Sequence, residues 1–238
     1  MTHHFKSSEH SLFENKIFTL EKGRPFDELC LEVFYFQYHN NPVFRDFCDY
    51  VKRQPSNVTK KDDIPFLPIE FFKTQKVISS SETPKLCFTS SGTTGMHTSR
   101  HYVLKPGLYE QSFLKGFEFF FGKPDNFVFL ALLPGYLERQ GSSLIYMMER
   151  LIKESNHPQS GFYLYNMDKL QQKIKELQDS QKKIFLIGVT YALLDMAERF
   201  PIENPDMIVM ETGGMKGKRK EMIRQELHQI LMDCFGVS

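Results

Sequence analysis

Residues 127–133 read Phe-Val-Phe-Leu-Ala-Leu-Leu, the longest uninterrupted apolar run in the chain. Seven residues is the length of a buried strand, far below the ~18 that a membrane-spanning helix needs. Four further strand-like runs lie on either side of it, at 86–89, 162–165, 184–189 and 207–210. Segments with helical spacing of apolar residues separate the runs, at 106–121, 142–154, 168–178, 190–199 and 218–232. Continuous apolar strands that alternate with helices predict an α/β fold, with a mostly parallel sheet covered by helices.

The N-terminal part of the chain has a different pattern. Apolar residues recur at helical spacing after Pro25, and Asn41-Pro42 then predicts a break followed by a second helix. Residues 64–68, Ile-Pro-Phe-Leu-Pro, contain too much proline for a central strand and predict an extended connector. We therefore predict a helical segment over residues 1–80 that packs on an α/β domain over residues 81–238.

Charge and composition exclude several classes of protein. Lys and Arg number 30 against 29 Asp and Glu, so a net charge of +1 provides no field for general nucleic-acid binding. Apolar residues make up 41% of the chain, enough for a sizeable core. With 23 Phe and no Trp, that core should be aromatic and dry.

The four cysteines, Cys30, Cys48, Cys87 and Cys234, lie far apart without a C-x-x-C pair. The first thirty residues carry no apolar signal segment, so we expect reduced thiols and a cytoplasmic protein. Cys87, inside a predicted strand, and Cys234, on the apolar side of a predicted helix, are interpreted as core thiols. Metal-ligand spacing is absent, and we predict no metal ligand within the chain.

A loop rich in hydroxyl groups follows the first predicted strand. Thr89-Ser-Ser-Gly-Thr-Thr-Gly95 has five hydroxyl residues and two glycines in seven positions. Glycines let successive backbone N–H groups turn onto an anion, and hydroxyls add donors, so the loop suits a polyphosphate. It lacks the Gly-x-x-x-x-Gly-Lys-Ser/Thr pattern of a Walker A loop. The alternative is a flexible Ser/Thr/Gly linker.

Two further loops follow predicted strands, where ligands bind in parallel sheets. Residues 134–143 end in Gly141-Ser142-Ser143 at the start of a helix, which suits a carboxylate, and Arg139 would pair with it. The alternative is an ordinary capped loop. Residues 212–214, Thr-Gly-Gly, permit close approach of the backbone to a ligand. The cations at 216 and 218–220 suggest a nearby anion or, alternatively, a solvated basic face.

Thr89–Gly95 resembles the phosphate-binding signature of the adenylate-forming superfamily. The usual Lys after the last Gly is replaced here by Ser99-Arg100, as in the LuxE-type acyl-protein synthetase branch. Three more segments resemble that branch in the same order: Asp63–Pro68, Leu133–Ser143 and Glu211–Gly217. The resemblance implies the N-terminal domain fold of adenylate-forming enzymes.

The resemblance also implies roles for particular residues. It assigns the phosphates of ATP to Thr89, Ser90, Ser91, Gly92, Thr93, Thr94 and Gly95, and the catalytic cation to Arg100. It assigns adenine to Gly213, Gly214, Met215 and Lys216, and the acid substrate to Tyr136, Arg139, Gly141, Ser142 and Ser143. The family's Mg²⁺ ligand, in a Tyr-Gly-x-Thr-Glu motif, would lie beyond residue 238. The resemblance therefore implies that the nucleotide-binding domain is incomplete at its C-terminus, as in a fragment or a truncated product.

The reaction implied is ATP-dependent conversion of a long-chain fatty acid to acyl-AMP, with transfer of the acyl group to a thiol. The partners implied are a fatty or aryl acid and a protein that donates or accepts the acyl group. One alternative is an acyl-CoA or aryl-CoA ligase of the same superfamily. The other is a remnant that binds nucleotide or acyl groups without catalysis.

Overall fold

The computed structural model describes residues 14, 16–18, 26–90, 98–134, 141–164, 166–178, 180–213, 215 and 217–237. The chain forms two compact units, Met1–Ser112 and Phe113–Ser238. Helix α4 (Pro106–Phe121) continues from the first into the second. Within the described ranges, no helix has the length and apolar character needed to cross a membrane.

The described residues of the first unit form helices and one strand pair. Its elements are α1 (Phe26–Asn40), α2 (Pro42–Tyr50), a 3₁₀ turn (Lys61–Asp63), α3 (Phe71–Thr74), β1 (Leu86–Thr89) and β2 (Arg100–Val103). As predicted, the chain breaks before Pro42 and a new helix begins there; the Asn41 side chain accepts the Phe44 N–H at 3.2 Å. A small core joins Phe34, Phe44, Cys48 and Val58.

Strand β1 was predicted to join the parallel sheet, and this is wrong. It pairs antiparallel with β2 in a separate two-stranded sheet, with Leu86 opposite Val103 and Thr89 opposite Arg100. The ten residues between the two strands are too few for a parallel crossover, which needs a dozen or more. The prediction of Cys87 as a core residue is also wrong. Successive side chains alternate across a strand, so Phe88 is buried and Cys87 is exposed.

The strand pair packs with the N-terminal helices. The ring of His101 in β2 stacks on that of Phe72 in α3, with centroids 5.6 Å apart. β2 and α3 therefore belong to the same unit, Met1–Ser112.

The second unit is the predicted α/β fold. After a 3₁₀ turn (Pro124–Asn126) its elements are β3 (Phe127–Leu132), α5 (Ser143–Ser155), β4 (Gly161–Phe162), α6 (Met167–Glu176), β5 (Lys183–Gly188), α7 (Thr190–Arg199), β6 (Ile208–Glu211) and α8 (Arg224–Phe235). The four strands are parallel in the order β4-β3-β5-β6. All six residues of β3 are buried, as the apolar run predicted.

Two details differ from the sequence prediction. Strand β4 has two residues, because the chain turns into α6 at Asn166, whose side chain accepts the Lys169 N–H at 3.1 Å. Helix α8 begins at Arg224 and not at residue 218. Helix α7 covers residues 190–199 as predicted; Val189 is its N-cap residue, and the Thr190 hydroxyl donates a hydrogen bond to Glu211.

The core of the second unit is aromatic, as predicted. The Phe117 ring lies 5.3 Å from the rings of both Phe129 and Phe185 and 5.5 Å from that of Phe127. These side chains are buried and carry no polar atom, so they fill the space between α4 and the sheet without needing hydrogen-bond partners.

Candidate functional site

Three parallel strands of the second unit end along one edge of its sheet. β3 ends at Leu132, β5 at Gly188 and β6 at Glu211. In open α/β sheets ligands bind beyond this carboxyl edge. The residues that follow the three strands are therefore candidates for ligand binding.

Backbone hydrogen bonds hold the strand ends together. The Thr212 N–H donates to the Gly188 carbonyl at 3.0 Å, and the Thr212 hydroxyl donates to the same oxygen at 3.2 Å. The Val189 N–H donates to the Leu132 carbonyl at 3.3 Å. The segments after β5 and β6 are thereby fixed to the edge of the sheet.

The turn after β6 exposes backbone to a ligand. Gly213 has φ +82°, a left-handed conformation that favours glycine. Its N–H donates to Glu211 Oε1 at 2.5 Å. Among the described atoms outside its chain neighbours, a Cβ at Gly213 would come within 4 Å of Glu211 Oε1 alone, at 4.0 Å. The side of the turn next to Gly213 is therefore open to a flat group.

Met215 and Arg219 anchor the segment that follows this turn. The Met215 side chain is buried, and the Lys218 N–H donates to its carbonyl at 2.8 Å. Arg219 Nη1 and Nη2 bond to the two carboxylate oxygens of Glu198 at 2.6 and 2.7 Å, and Nε bonds to Asp195 Oδ1 at 2.8 Å. The hydrogen bond from Arg219 holds the pKa of the Glu198 carboxyl below its ordinary value. Arg219 therefore fastens the loop to α7 and is neutralised by acids of the chain itself, whereas Lys218 and Lys220 are exposed.

The start of α5 has the form of a capped helix. Ser142 is the N-cap residue, and its side-chain oxygen accepts the Ile145 N–H at 3.4 Å. Gly141 has φ +81°, and Ser143 is exposed at the first position of the helix. Tyr136 and Arg139 lie outside the described residues. Binding of an acid at this helix end stays a prediction.

In the first unit, the structure places Arg100 beside the beginning of the hydroxyl-rich loop. Thr89 is the last residue of β1 and lies opposite Arg100, which is exposed. The Ser90 N–H donates to the Ser99 carbonyl at 3.1 Å, and Ser90 Oγ accepts the Ser99 N–H at 3.1 Å. The two ends of the loop are thus tied together. Ser91–Gly95, and in the second unit Gly214 and Lys216, lie outside the described residues.

Glu211 is the residue at this edge to which sequence reasoning gave no role. It ends β6 half-buried, and Oε1 accepts hydrogen bonds from the Thr190 hydroxyl and the Gly213 N–H. The signal was present in the sequence, because Glu211 is an acid that follows an apolar run and stands two residues before a glycine pair.

One comparison with known protein families bears on the N-terminal part of the chain. Residues 12–104 match the family described as acyl-protein synthetase, LuxE. The long-chain-fatty-acid–luciferin-component ligase of Photorhabdus luminescens is 34% identical over 70 residues, which is 29% of this chain. The chain spans about 60% of the length of that relative. No solved structure matches the chain significantly. Residues 12–104, less than half of the chain, are therefore similar to LuxE-type acyl-protein synthetases.

Proposed function

We propose that the chain takes part in ATP-dependent activation of a fatty-acid carboxylate, as an acyl-protein synthetase. The observation that carries this proposal is the extent of the LuxE match. Residues 12–104 include the whole hydroxyl-rich loop, Thr89–Gly95, together with Arg100. The function rests on the segment of the chain that would bind phosphate.

In the proposed reaction, a carboxylate oxygen attacks the α-phosphorus of ATP and pyrophosphate leaves. A thiolate then attacks the carbonyl carbon of acyl-AMP, the C–O bond to the phosphate breaks and AMP leaves. Such chemistry depends on positioning and on neutralising negative charge. Thr89–Gly95 would supply N–H and hydroxyl donors to the phosphates, and Arg100 the positive charge.

By the same resemblance, adenine and the acid are assigned to two other loops of the chain. The open side of the turn at Gly213 suits a flat base, with Gly214, Met215 and Lys216 completing the segment. Gly141–Ser143 would receive the carboxylate at the start of α5, with Tyr136 and Arg139 from the preceding loop. ATP would bind as its Mg²⁺ complex, and we assign no residue of this chain to the ion.

The proposal is tested with Gly92→Val, Thr94→Ala and Arg100→Ala. The first two should weaken ATP binding at least tenfold in titration calorimetry. Loss of Arg100 should slow fatty-acid-dependent exchange of pyrophosphate into ATP by about 100-fold, the scale for removing a group that stabilises developing charge. Thr83→Ala, at an exposed threonine outside the loop, is the matched control.

Three experimental outcomes would contradict the phosphate site or favour a different function. Undiminished ATP affinity in both loop variants contradicts the phosphate site. ATP binding without carboxylate-dependent exchange favours a nucleotide-binding protein that does not activate an acid. Exchange followed by acyl transfer to free CoA, and none to protein thiols, favours a CoA ligase.

A further inference from the structure

Glu211 joins two loops at the carboxyl edge of the sheet. It ends β6, and its carboxylate oxygen Oε1 accepts the Gly213 N–H at 2.5 Å. The same oxygen accepts the hydroxyl of Thr190, the first residue of α7. One atom therefore connects the turn after β6 to the helix that follows β5.

Charge makes both hydrogen bonds strong. Hydrogen bonds to an ionised carboxylate are roughly twice as strong as those between neutral groups. The carboxylate also lies at the N-terminal end of α7, where the helix dipole favours negative charge. Thr190 is buried, so little solvent competes for its hydroxyl.

The bond to Gly213 fixes a backbone conformation. Gly213 is left-handed, with φ +82°, and glycine populates this region no more readily than several others. An acceptor that holds its N–H selects one of these conformations before a ligand arrives. The neighbouring segments are already fixed, by Thr212 on Gly188 and by the buried side chain of Met215.

We propose that Glu211 is a positioning residue of the nucleotide site, which holds the Gly213 backbone in the conformation that receives the base and ties it to α7. This inference rests on the proposed function, in which the turn at Gly213 contacts adenine. Glu211 acts through the Gly213 N–H and the Thr190 hydroxyl, without touching the nucleotide itself.

The test measures ATP affinity by calorimetry and Gly213 amide exchange by NMR in the full chain. Glu211→Ala should bind ATP at least tenfold more weakly, and its Gly213 amide should exchange at least tenfold faster. Glu211→Gln keeps the accepting oxygen but loses the charge, so it should fall between the wild type and Glu211→Ala in both. Thr190→Val keeps the carboxylate and should weaken binding about threefold, which provides a test should Glu211→Ala fail to fold. Glu221→Ala, at an exposed glutamate further along the same loop, is the control.

Two results on ATP affinity would overturn the inference while leaving the proposed function intact. In one, Glu211→Ala binds ATP as the wild type does. In the other, Glu211→Gln loses as much affinity as Glu211→Ala, which would mean that the negative charge itself contacts the ligand or its metal ion. A wild-type protein that does not bind ATP contradicts the proposed function. Gly213 exchange that is unchanged in Glu211→Ala contradicts the positioning contact by itself.

Discussion

Cys48 and Cys87 occupy opposite environments in the first unit. Cys48 is fully buried, and burial, together with the negative charge of Asp49, raises its pKa from 9.0 to about 11. Cys87 is exposed on the outer face of β1. The thiolate is the reactive form of cysteine, so position in the fold decides which of the two thiols reacts.

We expect Cys87 to be alkylated at pH 8 in the native protein at least a hundred times faster than Cys48. The buried thiol should react only after the unit unfolds. Quenched iodoacetamide labelling followed by peptide mass spectrometry measures both rates, and a urea-unfolded sample gives the reference. Similar rates for the two cysteines in the native protein would contradict the burial of Cys48.

The same pKa shift links stability to pH. The folded state holds the Cys48 proton more tightly than the unfolded chain, because the folded pKa is the higher one. The stabilisation from this group is therefore fully present below pH 9.0 and is lost as the pH rises towards about 11. Cys48→Ala should show a smaller loss of stability over this range in urea titrations.

Single residues at the candidate site differ in how far the sequence reveals them. Thr89–Gly95 stands out by composition, since hydroxyl residues and glycines are concentrated at the end of a strand. Glu211 is recognisable as an acid before a glycine pair, but its role depends on Thr190, which lies 21 positions away in the sequence. Only the pairing of β5 with β6 brings the two side chains together.

Among the elements, the β5–α7 connection depends on Gly188. A Cβ at this position would lie 2.8 Å from the Cγ and Cδ2 atoms of Leu193 and 3.1 Å from the Leu132 carbonyl oxygen. Leu193 is fully buried, so it has little room to move aside. The last residue of β5 must therefore lack a side chain for α7 to pack where it does.

Gly188→Ala should lower the free energy of unfolding by about 1–3 kcal/mol, the cost of forcing an extra group into a packed core. Urea denaturation followed by circular dichroism measures the change. Gly161→Ala in β4 is the matched control, because among the described atoms nothing lies within 4 Å of a Cβ built there. Equal stability of the Gly188→Ala and wild-type proteins would show that Leu193 can repack.

Helices were more predictable than strand pairings for a physical reason. Pro106, in the first turn of α4, and Ser142, the N-cap of α5, favour the start of a helix through effects within one helical turn. The sequence therefore locates both helices to within one residue. The pairing of β1 with β2, in contrast, depends on the path of the loop between them, which short-range patterns do not determine.

At the scale of the whole molecule, the two units have cores of very different size. Among the described residues, the buried cluster of the second unit has 30 members and that of the first unit has four. Burial of apolar area is the main favourable term in folding, at about 25 cal/mol per Å². The second unit should therefore be the more stable one.

Hydrogen exchange measured by mass spectrometry should show this difference. Peptides that contain β3 and β5 should exchange most slowly, and peptides from α1 and α2 should exchange faster and lose protection at lower urea. Uniform protection across both units, lost at a single urea concentration, would indicate one cooperative structure.

The central position of β3 has a consequence for synthesis of the chain on the ribosome. Its six buried residues lie between β4 and β5, both of which follow it in sequence. When β3 leaves the ribosome its partners have not been made, and β5 arrives only after α5 and α6. An apolar strand without partners is a template for aggregation. Slower translation would therefore lengthen the interval during which residues 127–132 stay exposed.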